Sequence, residues 1–355
     1  MRLQRKGDAW DLGDCEALPR WRPALASLLL LAGSQGAASS PCVSGRIDPS
    51  VLSATSLEAR IQSAPPAITA LALRRNLGNG VAVEPRAASM DHPLVPALFR
   101  MLSRLPSPLY RLARETVAAI YLLQDNFGSA RVEALRDPHG HLSGGCILLN
   151  LDALSRPANA WASWRENSAF RADEPYAVRV ILEPRVTDTV ESTLRFIFLH
   201  ELGHVLGMAA GVHGFWAAPE TWWLTVQSPY FQLSWARNKD TLTSEWKRRF
   251  SILEYPRFYR FEAAPLPLAA APVVYGALAR TNWPSLYGSI DPYEDFAETF
   301  ALFVHTRLLG GSYRVDVLFG PERVAHFLSC LDTGRCPGKT AYLEQLFTRF
   351  FGESG

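Results

Sequence analysis

The 355-residue chain carries 36 Lys and Arg against 34 Asp and Glu, a formal net charge of +2. So mild a balance excludes nucleic acid or an acidic membrane surface as the main partner. With 48% hydrophobic and 11% aromatic residues, the chain can build a sizeable core, as one large domain or two smaller ones.

Residues 24–33 form a short apolar run preceded by Arg20 and Arg22 and followed by small residues through Ala37 and Ala38. The pattern predicts a secretory signal peptide over residues 1–38, with an unusually long n-region that carries Asp8, Asp11, Asp14 and Glu16. The run is too short to cross a bilayer, so no stable membrane span is expected in the mature chain. Cys15 would leave with the signal, and Cys42, Cys146, Cys330 and Cys336 make an even set. Cys330 and Cys336 flank a turn-like Leu-Asp-Thr-Gly-Arg segment. The expected disulfides are therefore Cys330–Cys336 and Cys42–Cys146, in a periplasmic or secreted protein.

Residues 39–95, rich in Ser, Ala and Pro, are expected to form an N-terminal arm laid over a catalytic domain spanning 96–355. From Pro96 the periodicity predicts core helices, first through Leu98, Met101 and Leu102, then after Pro106 and Pro108 through Leu112, Val117, Ile120 and Leu123. Ala130 to Leu135 and Cys146 to Leu151 are β-prone runs that predict a hairpin, with His139 and His141 exposed in its connection. Tyr176 to Leu182, ended by Pro184, is a further strand.

The strongest signal is His200-Glu201-Leu202-Gly203-His204. The chain's 8 His and 34 acidic residues give below about 0.02 chance matches to H-E-x-x-H. A helix is expected here, capped by Asp188 with Glu191, buried through Val190, Leu194, Ile197, Phe198 and Val205, and free to end at Gly207. Two imidazoles four apart share one helix face and can share one metal ion. Neutral imidazole suits Zn²⁺, whose catalytic sites take three protein ligands and leave a fourth position for water. Glu201 is then the expected general base for a water whose pKa zinc lowers towards about 7, which is the chemistry of amide hydrolysis.

A third ligand is needed. In metzincins it is a histidine six residues after the motif, but that position is Ala210, and no Met follows Met208 to make their downstream turn. Tyr293 to Phe303 instead predicts an amphipathic helix with Phe296, Phe300 and Phe303 on its apolar side and Glu294 and Glu298 one turn apart. Glu294 is the expected third ligand, and Glu298 the acceptor that fixes a ligating histidine's tautomer.

H-E-x-x-H with a later Glu294-x-x-x-Glu298 resembles the gluzincin metallopeptidases. Tyr287-x6-Glu294-Asp-Phe-Ala-Glu298-x-Phe300 is similar to the catalytic domain of anthrax lethal factor-like peptidases, with a fainter similarity to the Mlc titration factor A type. The resemblance covers about residues 120–310. It implies a zincin-like α+β domain with a small mixed sheet, an H-E-x-x-H helix and a second Glu-bearing ligand helix. By the same resemblance Tyr287 would donate its hydroxyl to the oxyanion of the tetrahedral intermediate.

Between the ligand helices lies an aromatic-rich insertion, about residues 214–283, carrying Trp216, Trp222, Trp223, Trp235 and Trp246 with Tyr230, Tyr255, Phe258, Tyr259 and Phe261. A cleft wall or lid is expected of it, with His213 lining the cleft. Val324 to Leu328 and Tyr342 to Phe350 predict C-terminal helices, and His305 and His326 are expected to be structural. A sheet edge beside the zinc helix would receive extended substrate as an added strand, without the sequence indicating which strand is the edge. The function expected is an exported zinc metallopeptidase, an endopeptidase acting on a peptide or protein. A zinc-bearing binding or regulatory protein of the cell envelope and an amidase acting on peptidoglycan peptides are the alternatives.

Overall fold

The computed structural model describes residues 4–6, 9–11, 41–47, 52, 54–213, 228–238 and 241–351. The apolar run at 24–33 and Trp216, Trp222 and Trp223 lie outside the described residues. The chain divides into Met1–Ala38 and Ser39–Gly355. In the first unit β1 (Gln4–Lys6) and β2 (Ala9–Asp11) pair antiparallel. The second unit is mixed α+β, and no described helix is long and apolar enough to cross a membrane.

The second unit begins with a helical turn, α1 (Pro41–Ser44), then β3 (Ile61–Ser63), α2 (Pro66–Gly78) and the two-residue β4 (Arg86–Ala87). Helices α3 (Val95–Ser103) and α4 (Ser107–Thr116) follow, each with a proline in its first turn, where the missing N–H has no intrahelical partner to lose. The helix expected to run on to Leu123 stops at Thr116, and Val117–Gln124 is strand β5. Val117, Ile120, Leu122 and Leu123 are fully buried there. A run apolar on both faces suits a central parallel strand as well as a buried helix, and only the pairing separates the two.

Strands β6 (Ala130–Arg136) and β7 (Leu142–Asn150) form the expected antiparallel hairpin. His139 and His141 are exposed in its turn, and their main-chain N–H groups donate to Asp137 Oδ1. The sheet runs β3-β5-β7-β6, with β4 joining the end of β5; β3, β5 and β7 are parallel. One sheet face packs on α1 and α2, where Cys42, Ile68 and Ala72 meet Tyr121, Leu123, Cys146 and Leu148. The Cys42–Cys146 disulfide, with Cα atoms 5.9 Å apart, crosses this layer.

After α5 (Ala158–Asn167) and β8 (Tyr176–Ile181) comes α6 (Val190–Ala209), which carries the H-E-x-x-H motif. It covers the other sheet face closely: a Cβ on Gly145 would lie 2.7 Å from Val132 of β6 and 3.1 Å from Val205 of α6. Every residue from Phe196 to Met208 is buried, so the helix is enclosed on all sides. Its cap is Thr189, whose side chain accepts from Ser192 N–H, rather than the expected Asp188. Asp188 accepts from Asn159 N–H instead, and Glu191 pairs with Arg100 and Arg104. The helix also runs past Gly207. That glycine leaves room for His213, whose ring atoms would stand 2.4–2.7 Å from a Cβ there, and Gly211 at φ +72° follows the helix end.

The remainder comprises β9 (Ala236–Asn238), β10 (Thr241–Thr243), α7 (Glu245–Arg249), α8 (Ala271–Leu278), α9 (Pro292–Phe303), β11 (Arg314–Phe319), β12 (Glu322–Leu328), α10 (Cys330–Thr333) and α11 (Pro337–Phe351). Strands β12, β11 and β8 form a separate antiparallel sheet. Val324 to Leu328, expected to be helical, is therefore strand. Phe327 is buried between exposed His326 and Leu328, which is the period of two of a strand with one solvated face. Tyr342 to Phe350 lies within α11 as expected. Cys330 and Cys336 form the second disulfide, with Cα atoms 5.4 Å apart. Two disulfides fit a non-cytoplasmic, oxidising environment.

Candidate metal centre

The site lies where α6 crosses α9 at a contact between small residues. A Cβ on Gly203 would fall 2.9 Å from Ala297 Cα and 3.2 Å from Ala297 O, so the two backbones touch. His200 and His204 sit three residues before and one after Gly203, and Glu294 and Glu298 sit three before and one after Ala297. Helical spacing therefore places both pairs beside the contact. Asp291 caps α9, its Oδ1 accepting from Tyr293 N–H at 2.8 Å and Glu294 N–H at 3.0 Å. Glu294 thus stands in the first turn, where the positive helix end favours a carboxylate.

Glu294 Oε2 lies 3.1 Å from His200 Nε2 and 3.4 Å from His204 Nε2. Ligand atoms of the three residues all lie within 4.8 Å of one another. Glu294 Oε2 is buried and makes no hydrogen bond despite these neighbours. Two imidazole nitrogens and a carboxylate oxygen that converge this closely can hold a metal ion, and the donor set fits Zn²⁺. Burial opposes charge on His200, but Glu294 and Glu298 outweigh it and raise the imidazole to about 10. Burial likewise acts against the Glu294 carboxylate, yet His204 and His200 hold it well below its ordinary range. A divalent cation among these groups would take over the role of the shared proton.

Behind the ligands, His200 Nδ1 lies 3.0 Å from Glu298 Oε1. Glu298 is fully buried and accepts from Arg165 Nη1 at 2.8 Å, Arg165 Nη2 at 3.3 Å and Ser285 Oγ at 2.6 Å. Against the cost of burial, Arg165 and His200 bring the Glu298 carboxyl down to about 2, so it is ionised. Arg165, on α5, and Ser285 are site residues that the sequence did not single out. The Arg165 guanidinium also lies 4.9 Å over the rings of Trp161 and Tyr287 and 3.5 Å from Glu166, which accepts from Tyr275 and Tyr313.

Glu201 lines the cleft beside the ligands, and its Oε2 is buried without a hydrogen-bond partner. Burial pushes its carboxyl up, opposed by His200 and His204. Tyr287 lies on the same cleft, its ring 5.6 Å from that of His200 and edge-on to Phe258 at 4.8 Å. Burial, then Glu294, raises its phenol well above 10, so the hydroxyl keeps its proton.

The cleft encloses about 960 Å³ and is bounded by β6 from Ala130 to Glu133, by the motif residues of α6, and by Trp235, Phe258 and Tyr259 of the insertion. The other described aromatics of the insertion differ in burial, Phe261 being exposed and Tyr255 and Trp246 half-buried. Tyr230 is fully buried and donates to Thr299 Oγ1 at 2.6 Å, while Trp246 donates to Asn282 at 2.7 Å. His213 does not line the cleft as expected. It is fully buried in the notch over Gly207, its ring 5.8 Å from that of His204. No protein-family model matches the chain, and neither does any curated protein or solved structure.

Proposed function

We propose that the protein is an exported, zinc-dependent metallopeptidase with a gluzincin-type site on a zincin-like fold, acting within extended peptide chains. The carrying observation is the convergence of His200, His204 and Glu294 beside a buried, unpartnered Glu201 carboxylate oxygen in an open cleft. His200, His204 and Glu294 would hold Zn²⁺, which when bound supplies Lewis acidity and lowers the pKa of a coordinated water to about 7. Glu201 takes the proton of the attacking water and passes it to the departing amine. Tyr287, protonated and facing the same space, donates to the oxygen that gains charge as the carbonyl is attacked. Glu298, kept ionised by Arg165, orients His200.

The sheet supplies a seat for substrate. Strand β6 ends the sheet order and lines the cleft. Asn150 N–H donates to Ser129 C=O. Antiparallel pairing alternates, so the N–H and C=O groups of Ala130, Val132 and Ala134 face away from β7. Arg136 has the same orientation, and its main-chain groups pair with Gly45 and Ile47. From Ala130 to Ala134 the edge is free among the described residues to receive an extended peptide, which supports a peptide substrate.

Purified protein loaded with one equivalent of zinc should cleave an unstructured protein substrate and lose that activity to a chelator. Glu201→Gln should bind zinc normally and lose turnover by about 10²–10⁴-fold. Full activity in that variant would overturn the mechanism.

A further inference from the structure

Five cationic side chains line the cleft: Arg75, Arg131, Lys247, Arg257 and Arg260. Apart from the metal-site residues Glu201 and Glu294, the lining carboxylates are Glu133, Glu254 and Asp291. Four of the cations are engaged. Arg75 forms a two-point pair with Glu133 at 2.9 and 3.1 Å. Lys247 donates to Ile290 C=O at 3.0 Å, Arg257 to the carbonyls of Glu254 and Pro256, and Arg260 to Asn79 C=O.

Arg131 differs from these. It lies within the edge strand β6, where its main chain pairs with Leu148 of β7, while its side chain makes neither a hydrogen bond nor an ion pair among the described residues. Burial lowers its guanidinium below the ordinary value; Glu133 opposes that, Arg75 adds to it, and the Glu201 carboxylate is also near enough to act on it. The carboxylate two positions along the strand, Glu133, is already committed to Arg75. Arg131 stands with Glu133 on the α2 face of the sheet and lines the cleft at the strand edge; a half-buried guanidinium there with no protein partner suits a planar anion.

We infer that the cleft selects peptides carrying a carboxylate that pairs with Arg131, so that an acidic residue close to the cleaved bond is the main specificity element. The inference rests on the hydrolase reading above. A substrate strand added to the β6 edge puts one residue directly opposite Arg131. Its side chain stands on the same sheet face, with Cβ atoms about 4.5–5.5 Å apart. At that separation an Asp or Glu side chain can meet the guanidinium at two points. The free C-terminal carboxylate of a short peptide offers the same chemistry.

The test compares end-blocked, internally quenched peptides that differ by Glu, Gln or Lys at one position scanned along the chain. A matching pair has a free or an amidated C-terminus. Zinc-loaded wild type should favour Glu over Gln at one position by about tenfold to a hundredfold in kcat/KM. Arg131→Gln should bring that ratio close to one, Arg131→Glu should shift the preference to Lys, and Arg131→Lys should keep part of it. The same peptides are titrated calorimetrically into the zinc-loaded Glu201→Gln protein, where affinity should follow the same order.

Cleavage without acid preference, or with a preference indifferent to Arg131, overturns the inference and leaves the hydrolase reading standing. Arg131-dependent binding of acidic peptides with no cleavage by wild type supports the inference and overturns hydrolysis. An Arg131-dependent preference for the free over the amidated terminus supports the pairing and assigns the carboxylate to the chain end. Neither binding nor cleavage overturns both.

Discussion

Gly203→Ala tests whether the distance between the two ligand helices sets the metal site. The new Cβ would lie 2.9 Å from Ala297 Cα and 3.2 Å from Ala297 O, both of them backbone atoms that no rotamer change can move. Ordinary carbon contact is about 3.5–4.0 Å, so α6 and α9 must separate locally by roughly 0.6–1.1 Å. Metal–ligand distances tolerate only about ±0.2 Å, and Glu294 shares the helix that would move. Two stability effects oppose each other. Alanine inside a helix is favoured over glycine by about 1 kcal/mol, while overpacking costs about 1–3 kcal/mol. Folding stability should therefore fall by no more than about 2 kcal/mol, whereas zinc affinity should fall by about tenfold or more, as it does when outer-shell support is lost. Competition against a chromophoric chelator reads the affinity, and urea unfolding of the metal-free protein reads the stability. Gly144→Ala is the control. Its Cβ meets Thr116 O at 2.4 Å, away from the ligand helices, so it should lower stability without changing affinity. Zinc binding by Gly203→Ala within twofold of wild type would refute the argument.

Glu298→Gln should weaken zinc binding by about 10–100-fold, because His200 loses the carboxylate behind it; unchanged affinity in the chelator competition would remove Glu298 from the site. Lys339→Met should destabilise the fold by about 3–5 kcal/mol in urea, since it strands Asp295 in the core without its partner at 2.5 Å. The double variant Lys339→Met/Asp295→Leu should recover much of that loss, and equal losses in both would mean the charge is not the cause. Lys247 gives a pH prediction: burial lowers its ammonium from 10.5 to about 8. Between those values the unfolded chain holds the proton and the folded chain does not. Stability from this group is therefore full above pH 10.5 and falls as pH drops towards 8, by roughly 3 kcal/mol in all. Lys247→Met removes that dependence, so its stability relative to wild type should rise as pH falls through the interval; a pH-independent difference would refute the assignment.

The candidate ligands were legible because their geometry is local. His200 and His204 are one turn apart on a single helix, as are Glu294 and Glu298, and any helical register brings each pair to one face. Pairing between helices needed only that the two faces meet, which Gly203 and Ala297 allow. The hairpin of β6 and β7 was legible from its composition. Val117 to Leu123 was not, because a run buried on both faces has no period to read. Nor was Val324 to Leu328, whose alternation is too short to exclude a helical turn. The identity of the edge strand depends on β3 and β5 joining β7 from the other side, which is long-range information. Arg131 had no local signal either, since an arginine in a strand is ordinarily solvated, and its isolation follows from Arg75 having taken Glu133.

Arg165 is the most consequential residue that the sequence hid. In Trp164-Arg165-Glu166 it looks like one charge on a helix surface, yet it is fully buried, and its partner Glu298 lies 133 residues away. A buried ion pair of this kind is seldom the most stable filling for a core, and apolar residues of the same volume usually do as well or better. Its presence therefore calls for a reason other than stability. A neutral residue at Glu298 would remove the carboxylate that His200 Nδ1 faces, and an isolated Glu298 in the same place would neutralise itself by taking up a proton. Arg165 prevents that, and so keeps an anion at the one position that fixes which ring nitrogen of His200 turns towards Glu294. The same guanidinium lies over the Tyr287 ring. One buried cation thus ties the orientation of a candidate ligand to the placement of the candidate oxyanion donor, a coupling on which the proposed hydrolysis would draw.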